Sequence, residues 1–366
     1  MMKERNKSLD FLRGLAILLV LLRHYPFDFD FMPSYVEHIF IQIKNVGYIG
    51  VDLFFVLSGF LVSGLYFSKV KQGKDPGVKN FLTRRALKIW PSYYIYLAFI
   101  LVFYSYKFSF EKSWDMYKSA VFHVQNYIVT YKVHLWSLAI EEHFYALLSL
   151  IVLLLARIDF NNFQKNIKRF TFVCVFLPMV FRFLLPDHHT YMSHIRSDGL
   201  FIGVLISSFY YFNYDWFKSL SRFQVPLFFL ALTLIAPVFY YVDLSNTERY
   251  ARTFSFLALH TGFGILLICA LNAGPNSLRY LINSGLGKIF QKFGILSYGI
   301  YLWHIEFNGV FGISMGKLIK GKLSTLQSIT AQTAYFLLLY LLGLVLMNFI
   351  EKPFLTLREK VTKTTN

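Results

Sequence analysis

Long apolar runs separated by short polar and charged segments recur along the whole chain. Each run is about long enough for an α-helix to cross a hydrocarbon layer of about 30 Å. The pattern predicts an all-α, polytopic membrane protein with about ten transmembrane helices. The predicted spans are residues 9–25, 47–68, 90–106, 135–156, 170–185, 197–212, 225–242, 253–271, 293–312 and 331–350.

Composition agrees with this assignment. Of the 366 residues, 56% are hydrophobic and only 16% are charged, which is more apolar surface than one soluble core can bury. The first apolar run has no small-residue cleavage site, so we expect a retained helix rather than a signal peptide. We therefore expect a single transmembrane domain over residues 1–366, with no appended soluble domain.

The basic residues that give the net charge of +17 are concentrated in the segments on one side of the predicted membrane, and this distribution argues against a nucleic-acid partner. With the N-terminus inside, the cytoplasmic segments hold 23 of the 37 Lys and Arg residues and the outer loops hold 11. This bias predicts that both termini are cytoplasmic and that the protein is a multi-pass protein of the inner membrane, in contact with its lipids.

Arg13 and His24 both lie inside the first predicted span. Eleven helical positions separate them, which brings them to one stripe of the helix at a rise of about 16 Å. Ionisable groups inside a bilayer are costly and mark functional sites. We expect the two side chains to share a cavity, although both could instead snorkel toward the lipid headgroups.

Acidic and basic side chains also begin other spans. Asp52 enters the second span and needs a partner or a helix dipole, whereas the neighbouring Ser58 and Gly59 indicate close helix packing. Arg196 and Asp198 precede the sixth span and are expected to form an ion pair or to bind a polar ligand.

A cationic group leads into the third span. Arg85 and Lys88 are three residues apart and share a helix face, and Arg84 adds a further positive charge. This arrangement suits a phosphate-bearing ligand, and positive-inside anchoring explains it equally well.

The strongest indication of a site is the segment HLWSLAIEEHFY. Ser137, Glu141 and Tyr145 are spaced four apart and line one helix face, whereas Glu142 and His143 are expected to meet headgroups or neighbouring helices. A carboxylate beside buried histidines can orient a general base.

Two later segments complete the candidates. Ser297, Tyr301 and His304 form a second polar stripe, for which an aromatic belt is the simpler reading. Near the C-terminus, Pro353 is expected to stop the last helix. The two cysteines, Cys174 and Cys269, are expected to be core residues, and neither a disulfide nor a metal site is expected.

Six of these segments, taken in order, resemble the motifs of the acyltransferase 3 family. They are RGLAILLVLLRH, GVDLFFVLSGFL, RRALKIWP, WSLAIEEHFY, SYGIYLWH and FIEKPF, and the resemblance covers a core of residues 8–355, leaving a short basic tail at 356–366.

The resemblance implies a ten-helix O-acyltransferase that moves an acyl group, usually acetyl from cytoplasmic acetyl-CoA, to a hydroxyl of a cell-surface or lipid-linked glycan. The family's basic residue and histidine fall on Arg13 and His24, and its carboxylate falls on Glu141. Its basic pair falls on Arg85 and Lys88, where a second arginine is usual. His24 is expected to act as the base in a direct transfer from acetyl-CoA or another acyl-CoA.

Two other classes of function remain open from the residues. A flippase or transporter of a lipid-linked saccharide would also use intramembrane Arg, His and Glu. A non-catalytic component of a polysaccharide export complex would tolerate their replacement. Separate polysaccharide-assembly proteins are possible partners in each case.

Overall fold

The computed structural model describes residues 5–26, 33–128, 133–185, 191–240, 249–274, 278–318 and 325–363. The regular secondary structure within these ranges is helical throughout. The α-helices are α1 Lys7–Arg23, α2 Ser34–Val46, α3 Ile49–Val70, α4 Val78–Lys107, α5 Phe110–Val121, α6 Trp136–Ile158, α7 Phe163–Leu184, α8 Ser193–Arg196, α9 Asp198–Phe212, α10 Tyr214–Ser219, α11 Gln224–Ile235, α12 Pro237–Tyr240, α13 Arg249–Leu271, α14 Leu278–Asn283, α15 Gly285–Leu318, α16 Thr325–Leu346 and α17 Lys352–Lys363.

The all-helical membrane class is confirmed. Six helical stretches of the described chain are long and apolar enough to cross a membrane, and they are Ile49–Val70, Val78–Lys107, Trp136–Ile158, Tyr214–Phe239, Thr253–Leu271 and Thr325–Thr362. The described parts of all ten predicted spans are largely helical. The count of ten crossings and the cytoplasmic position of both termini stay predictions.

The expectation that Pro353 stops the last helix is wrong. After α16 the chain makes a π turn, Met347–Glu351, and continues as α17 with Pro353 in its first turn. The wider π turn lets the helix pass a residue that lacks the N–H and whose ring crowds the preceding turn.

Helix α3 packs closely against α9. A Cβ on Gly59 would lie 1.9 Å from the carbonyl oxygen of Leu200, so the backbones touch where a side chain would separate them. This agrees with the packing role expected for Gly59. Further along, Gly64 meets Tyr211, so the contacts advance in the same chain direction and the two helices are parallel.

Helices α1 and α15 form a second parallel pair. Arg13 donates to Ser297 near one end of the crossing, and Asn308 donates to the carbonyl of His24 near the other. Helix α4 runs antiparallel to α6, because Arg85 covers the ring of Tyr145 while the later Trp90 meets the earlier Glu142. Together with α3, these helices enclose the candidate site.

Candidate functional site

A cavity of about 280 Å³ lies between α1, α3, α4, α6 and α15. This volume lies just below the usual range for small-molecule sites, about 300–1,000 Å³. The cavity is lined by Arg13, Val51, Phe54, Phe55, Leu57, Ser58, Leu61, Leu65, Arg85, Lys88, Ile89, Tyr93, His123, Ser137, Leu138, Glu141, Glu142, Tyr145, Ser297, Tyr298 and Tyr301.

The cavity is long rather than round. Its lining on α3 extends from Val51 to Leu65, which is about 21 Å of helix at a rise of 1.5 Å per residue. Arg85 lies toward one end, which we call the Arg85 end. The loop residue His123 lies toward the other, which we call the His123 end. A narrow site that follows the helix axis suits an extended ligand.

Three cations line the cavity, as expected for Arg13, Arg85 and Lys88. The Arg13 guanidinium donates to Ser297 Oγ at 3.1 Å. The Arg85 guanidinium lies 5.1 Å from the ring centre of Tyr145. Neither Arg85 nor Lys88 has a carboxylate within 4.0 Å among the described residues. Their donors remain available to an anionic ligand.

Arg84 is placed differently from its neighbour. Its side chain is exposed and donates to Thr362 Oγ1 of α17 at 2.8 Å, and it does not line the cavity. The helix turns about 100° per residue, and this turn directs Arg84 away from the cavity that Arg85 lines. Its expected role in ligand binding therefore lacks support from the geometry.

The carboxylate of Glu141 lines the cavity and accepts two hydrogen bonds. Ser58 donates to its Oε1 at 2.8 Å and Tyr145 donates to its Oε2 at 2.6 Å. The predicted face of Ser137, Glu141 and Tyr145 is confirmed, since all three residues line the cavity. Ser58, expected to serve packing, is instead the residue that fixes this carboxylate from α3.

Glu142 contacts the neighbouring helix α4, which is one of the two expected alternatives, and it also lines the cavity, which was not expected. Its Oε2 accepts a hydrogen bond from Trp90 Nε1 at 3.1 Å. The cavity passes between α4 and α6 and so reaches two adjacent positions of α6. His143, by contrast, meets a neighbouring segment through Ser193 Oγ at 2.7 Å, as expected.

His24 does not share the cavity with Arg13, which corrects the sequence-based expectation. It follows the last residue of α1, is exposed, and does not line the cavity. Its Nδ1 lies 3.0 Å from the carbonyl oxygen of Val20 in its own helix. The oxygens of Glu141 accept from Ser58 and Tyr145, and among the described residues no hydrogen bond joins His24 to Glu141, so an orientation of His24 by this carboxylate is not seen.

An aromatic cluster lies between His24 and the cavity. The ring centre of His304 is 5.0 Å from that of His24 and 5.3 Å from that of His134. Tyr301, which lines the cavity, contacts the rings of His134 and His304. Its hydroxyl donates to the carbonyl of His134 and therefore accepts the 2.6 Å hydrogen bond from Ser137. His24 therefore stands behind one layer of side chains at the edge of the site.

The remaining candidates, Asp52, Arg196 and Asp198, form a separate group with Arg182 and His260, which we call the buried ion cluster. Arg196 pairs with Asp52 at 2.5 Å, and Arg182 pairs with Asp198 at 2.7 Å. His260 bridges the two carboxylates at 2.9 and 3.1 Å. The expected pairing of Arg196 with Asp198 is thus replaced by two pairs, because α3 and α7 each supply a closer partner.

Several residues of the two regions were missed from the sequence. Tyr93, His123 and Tyr298 line the cavity, yet each belongs to an aromatic-rich segment that an aromatic belt explains. His260 lies within a predicted span, and the cost of an intramembrane ionisable group was an available signal for it.

Comparison with known proteins gives a consistent picture. A family described as an acyltransferase domain matches residues 6–350. The O-acetyltransferase OatA of Staphylococcus aureus is 26% identical over 294 residues, which are 74% of this chain and 47% of that protein. The peptidoglycan O-acetyltransferase OatA of Listeria monocytogenes is 25% identical over 327 residues, which are 81% of this chain and 48% of that protein.

The chain spans about half the length of these relatives. No solved structure matches it. The family match covers nearly the whole chain and includes α1, α4 and α6, which carry Arg13, Arg85 and Glu141. This chain belongs to the acyltransferase 3 family.

Proposed function

We propose that the protein is an inner-membrane O-acyltransferase that moves an acyl group from an acyl-CoA, most simply acetyl-CoA, to a hydroxyl of a cell-surface or lipid-linked glycan. The names of the relatives favour peptidoglycan as the class of acceptor. The observation that supports the proposal is that the chemical character of the lining changes along the cavity. Arg85 and Lys88 lie at the Arg85 end without a carboxylate partner among the described residues, and Glu141, several hydroxyls and one histidine, His123, line the cavity beyond them.

The Arg85 end fits the donor. Acyl-CoA has an anionic nucleotide portion and a slender neutral arm that ends in the thioester. Arg85 and Lys88 offer donors that no described carboxylate occupies, and such donors match phosphate oxygens. On the proposed topology this end faces the cytoplasm. A cavity of about 280 Å³ accommodates an extended arm and leaves the nucleotide at the mouth.

The other end fits activation of the acceptor. The carbonyl of Val20 accepts the Nδ1–H of His24, so in the neutral imidazole Nε2 carries the lone pair and can take a proton from a sugar hydroxyl. We assign the base to His24, which would take the proton at the edge of the site, where His304 and Tyr301 lie between it and the cavity. Glu141, anchored by Ser58 and Tyr145, orders the cavity wall, and Arg13 stabilises negative charge that develops on the reacting carbonyl.

The decisive test is acyl transfer by the full chain in proteoliposomes, with labelled acetyl-CoA supplied on one side and glycan on the other. His24→Ala is expected to lower the transfer rate by about 10²–10⁴-fold, the usual contribution of a general base. His38→Ala is the matched control, since His38 is an exposed histidine on α2. NMR of surface glycans before and after mild alkali identifies the ester and its position.

Unchanged transfer in His24→Ala would contradict the assigned role of His24. Movement of a lipid-linked saccharide without consumption of acyl-CoA would support a flippase instead. Normal glycan acylation in cells after replacement of both His24 and Glu141 would indicate a non-catalytic component.

A further inference from the structure

Ser58 is placed differently from the other two serines of α3. The hydroxyls of Ser63 and Ser68 donate to backbone carbonyls of their own helix, as serines within helices commonly do. Ser58 is half-buried, lines the cavity, and donates instead to Oε1 of Glu141 on α6 at 2.8 Å. Its hydroxyl therefore meets open space and a carboxylate rather than its own backbone.

The contacts around Ser58 match those of an activated nucleophile. A serine hydroxyl attacks when a base within about 2.6–3.2 Å can take its proton and a third group holds that base in place. Glu141 is the adjacent base, and the Tyr145 hydroxyl donates to its other oxygen at 2.6 Å. Both oxygens of Glu141 thus accept hydrogen bonds, as those of an ionised carboxylate do.

The two other serines that line the cavity lack such a base. Ser137 donates to Tyr301 Oη at 2.6 Å, and Ser297 accepts from the Arg13 guanidinium at 3.1 Å. Neither serine has a hydrogen bond to a carboxylate among the described residues. Ser58 is therefore the cavity serine that the fold pairs with a proton acceptor.

Ser58 also lies midway along the cavity. The lining on α3 runs from Val51 to Leu65, so Ser58 is about 10 Å of helix from each limit. An acyl-CoA held by its phosphates at the Arg85 end would bring its thioester toward this point. The next residue, Gly59, touches the backbone of α9, which fixes the position of α3 beside the carboxylate.

We propose that Ser58 is the nucleophile that takes the acyl group from acyl-CoA as a covalent ester, with Glu141 as its base. This inference rests on the proposed function, because it divides the proposed transfer into two steps. The direct transfer expected from the sequence forms no such ester. A two-step route lets the donor and the acceptor occupy the cavity in turn, which suits a volume of about 280 Å³.

The two steps balance in atoms and protons. In the first, Ser58 Oγ attacks the thioester carbon while Glu141 takes the hydroxyl proton. The C–S bond then breaks, and the proton passes from Glu141 to the departing thiolate, which leaves as free CoA. In the second, the acceptor hydroxyl loses its proton to His24 and attacks the ester carbon. The bond to Ser58 Oγ breaks, and this oxygen regains one proton in balance with the one that His24 releases.

The test is isotope exchange by the full chain in nanodiscs without any glycan. Labelled CoA is added to unlabelled acetyl-CoA, and the label enters acetyl-CoA when the acyl group moves to the protein and back. The unmodified protein should catalyse this exchange. Ser58→Ala should slow it at least about 10³-fold, because the variant has no nucleophile. Ser63→Ala, the matched control, changes a buried serine of α3 that does not line the cavity and should keep the unmodified rate.

A second readout identifies the acylated residue. Mass spectrometry after incubation with acetyl-CoA should find an acetyl group on Ser58. Ser58→Cys keeps a nucleophile at this position and should also be acetylated, which provides a second variant if Ser58→Ala does not fold. A serine that only holds Glu141 in place would give neither exchange nor an acetylated residue 58. Exchange that persists in folded Ser58→Ala would overturn the assignment, as would acetylation of another residue alone.

The two proposals can fail separately. Acyl transfer to a glycan without isotope exchange would reject the ester on Ser58 and leave direct transfer by the same enzyme. Exchange with an acetyl group on Ser58, but without transfer to any glycan, would keep the ester and reject the glycan as acceptor. His24→Ala should lose glycan transfer and retain the exchange, because His24 acts in the second step.

Discussion

The cavity and the buried ion cluster contain the same kinds of charged side chain in opposite arrangements. In the cluster, Arg182 and Arg196 each donate to a carboxylate, and all five members are buried. In the cavity, Arg85 and Lys88 line open space, and neither has a carboxylate partner among the described residues. Glu141, which also lines the cavity, accepts hydrogen bonds from two uncharged donors, Ser58 and Tyr145.

This difference separates structural charges from charges that await a ligand. A buried charge is tolerated when its partners lie in the same fold, and removing one partner leaves the other uncompensated. A charge that lines a cavity without a partner has capacity for a bound anion. The two regions should therefore respond differently to substitution, with losses of stability in the cluster and losses of activity in the cavity.

The largest effect is expected in the cluster. Asp52→Ala leaves Arg196 and His260 without a carboxylate that both contact, at 2.5 and 2.9 Å. Removing one partner from a buried network costs about 3–5 kcal/mol, so the purified variant should unfold at a clearly lower temperature. The exposed pair of Lys118 and Asp115, at 2.7 Å, supplies the control, and Asp115→Ala should cost about 1 kcal/mol at most. Equal losses of unfolding free energy in Asp52→Ala and Asp115→Ala would contradict a structural role for the buried ion cluster.

The same comparison shows which features of these two regions could be predicted from the sequence. The apolar runs predicted the helical class, and the four-residue spacing placed Ser137, Glu141 and Tyr145 on one face, because both are local properties of a helix. The partner of Asp52 could not be predicted, since it depends on which of several basic side chains the packing of α7, α8 and α13 brings within reach. The distance of His24 from Glu141 depends likewise on how α1 crosses the bundle.

The next effect concerns the carboxylate of the cavity. Glu141→Gln preserves the shape and can still accept a hydrogen bond from Ser58 or Tyr145, but it removes the charge. We expect acyl transfer to fall about 10²-fold with a change of about 1 kcal/mol or less in unfolding free energy. Glu111→Gln, an exposed change on α5, should leave both quantities unaltered. A stability loss as large as that of Asp52→Ala would place Glu141 with the structural charges.

A smaller effect is expected for Lys88. Lys88→Ala should raise the KM for acyl-CoA about tenfold, which corresponds to about 1.4 kcal/mol for one phosphate contact. Lys88→Arg should bind at least as tightly as the unmodified protein, because a planar guanidinium can contact a phosphate with two donors. Lys79→Ala, an exposed change on the same helix, is the control. A KM that does not change in Lys88→Ala would place the nucleotide portion elsewhere.

The smallest effect is expected for Arg84, which is adjacent to Arg85 and faces another way. Its hydrogen bond to Thr362 joins α4 to α17, so Arg84→Ala should cost about 0.5–1.5 kcal/mol of stability and change the KM for acyl-CoA less than twofold. Thr362→Val should cause a similar loss, and the two changes together should cost less than their sum, because they remove the same contact. Thermal unfolding and KM are measured on all three variants. If Arg84→Ala instead weakens acyl-CoA binding as much as Lys88→Ala does, the anionic ligand extends beyond the cavity onto the outer face of α4. In that case the exposure of a cation does not show whether its role is structural or ligand-binding.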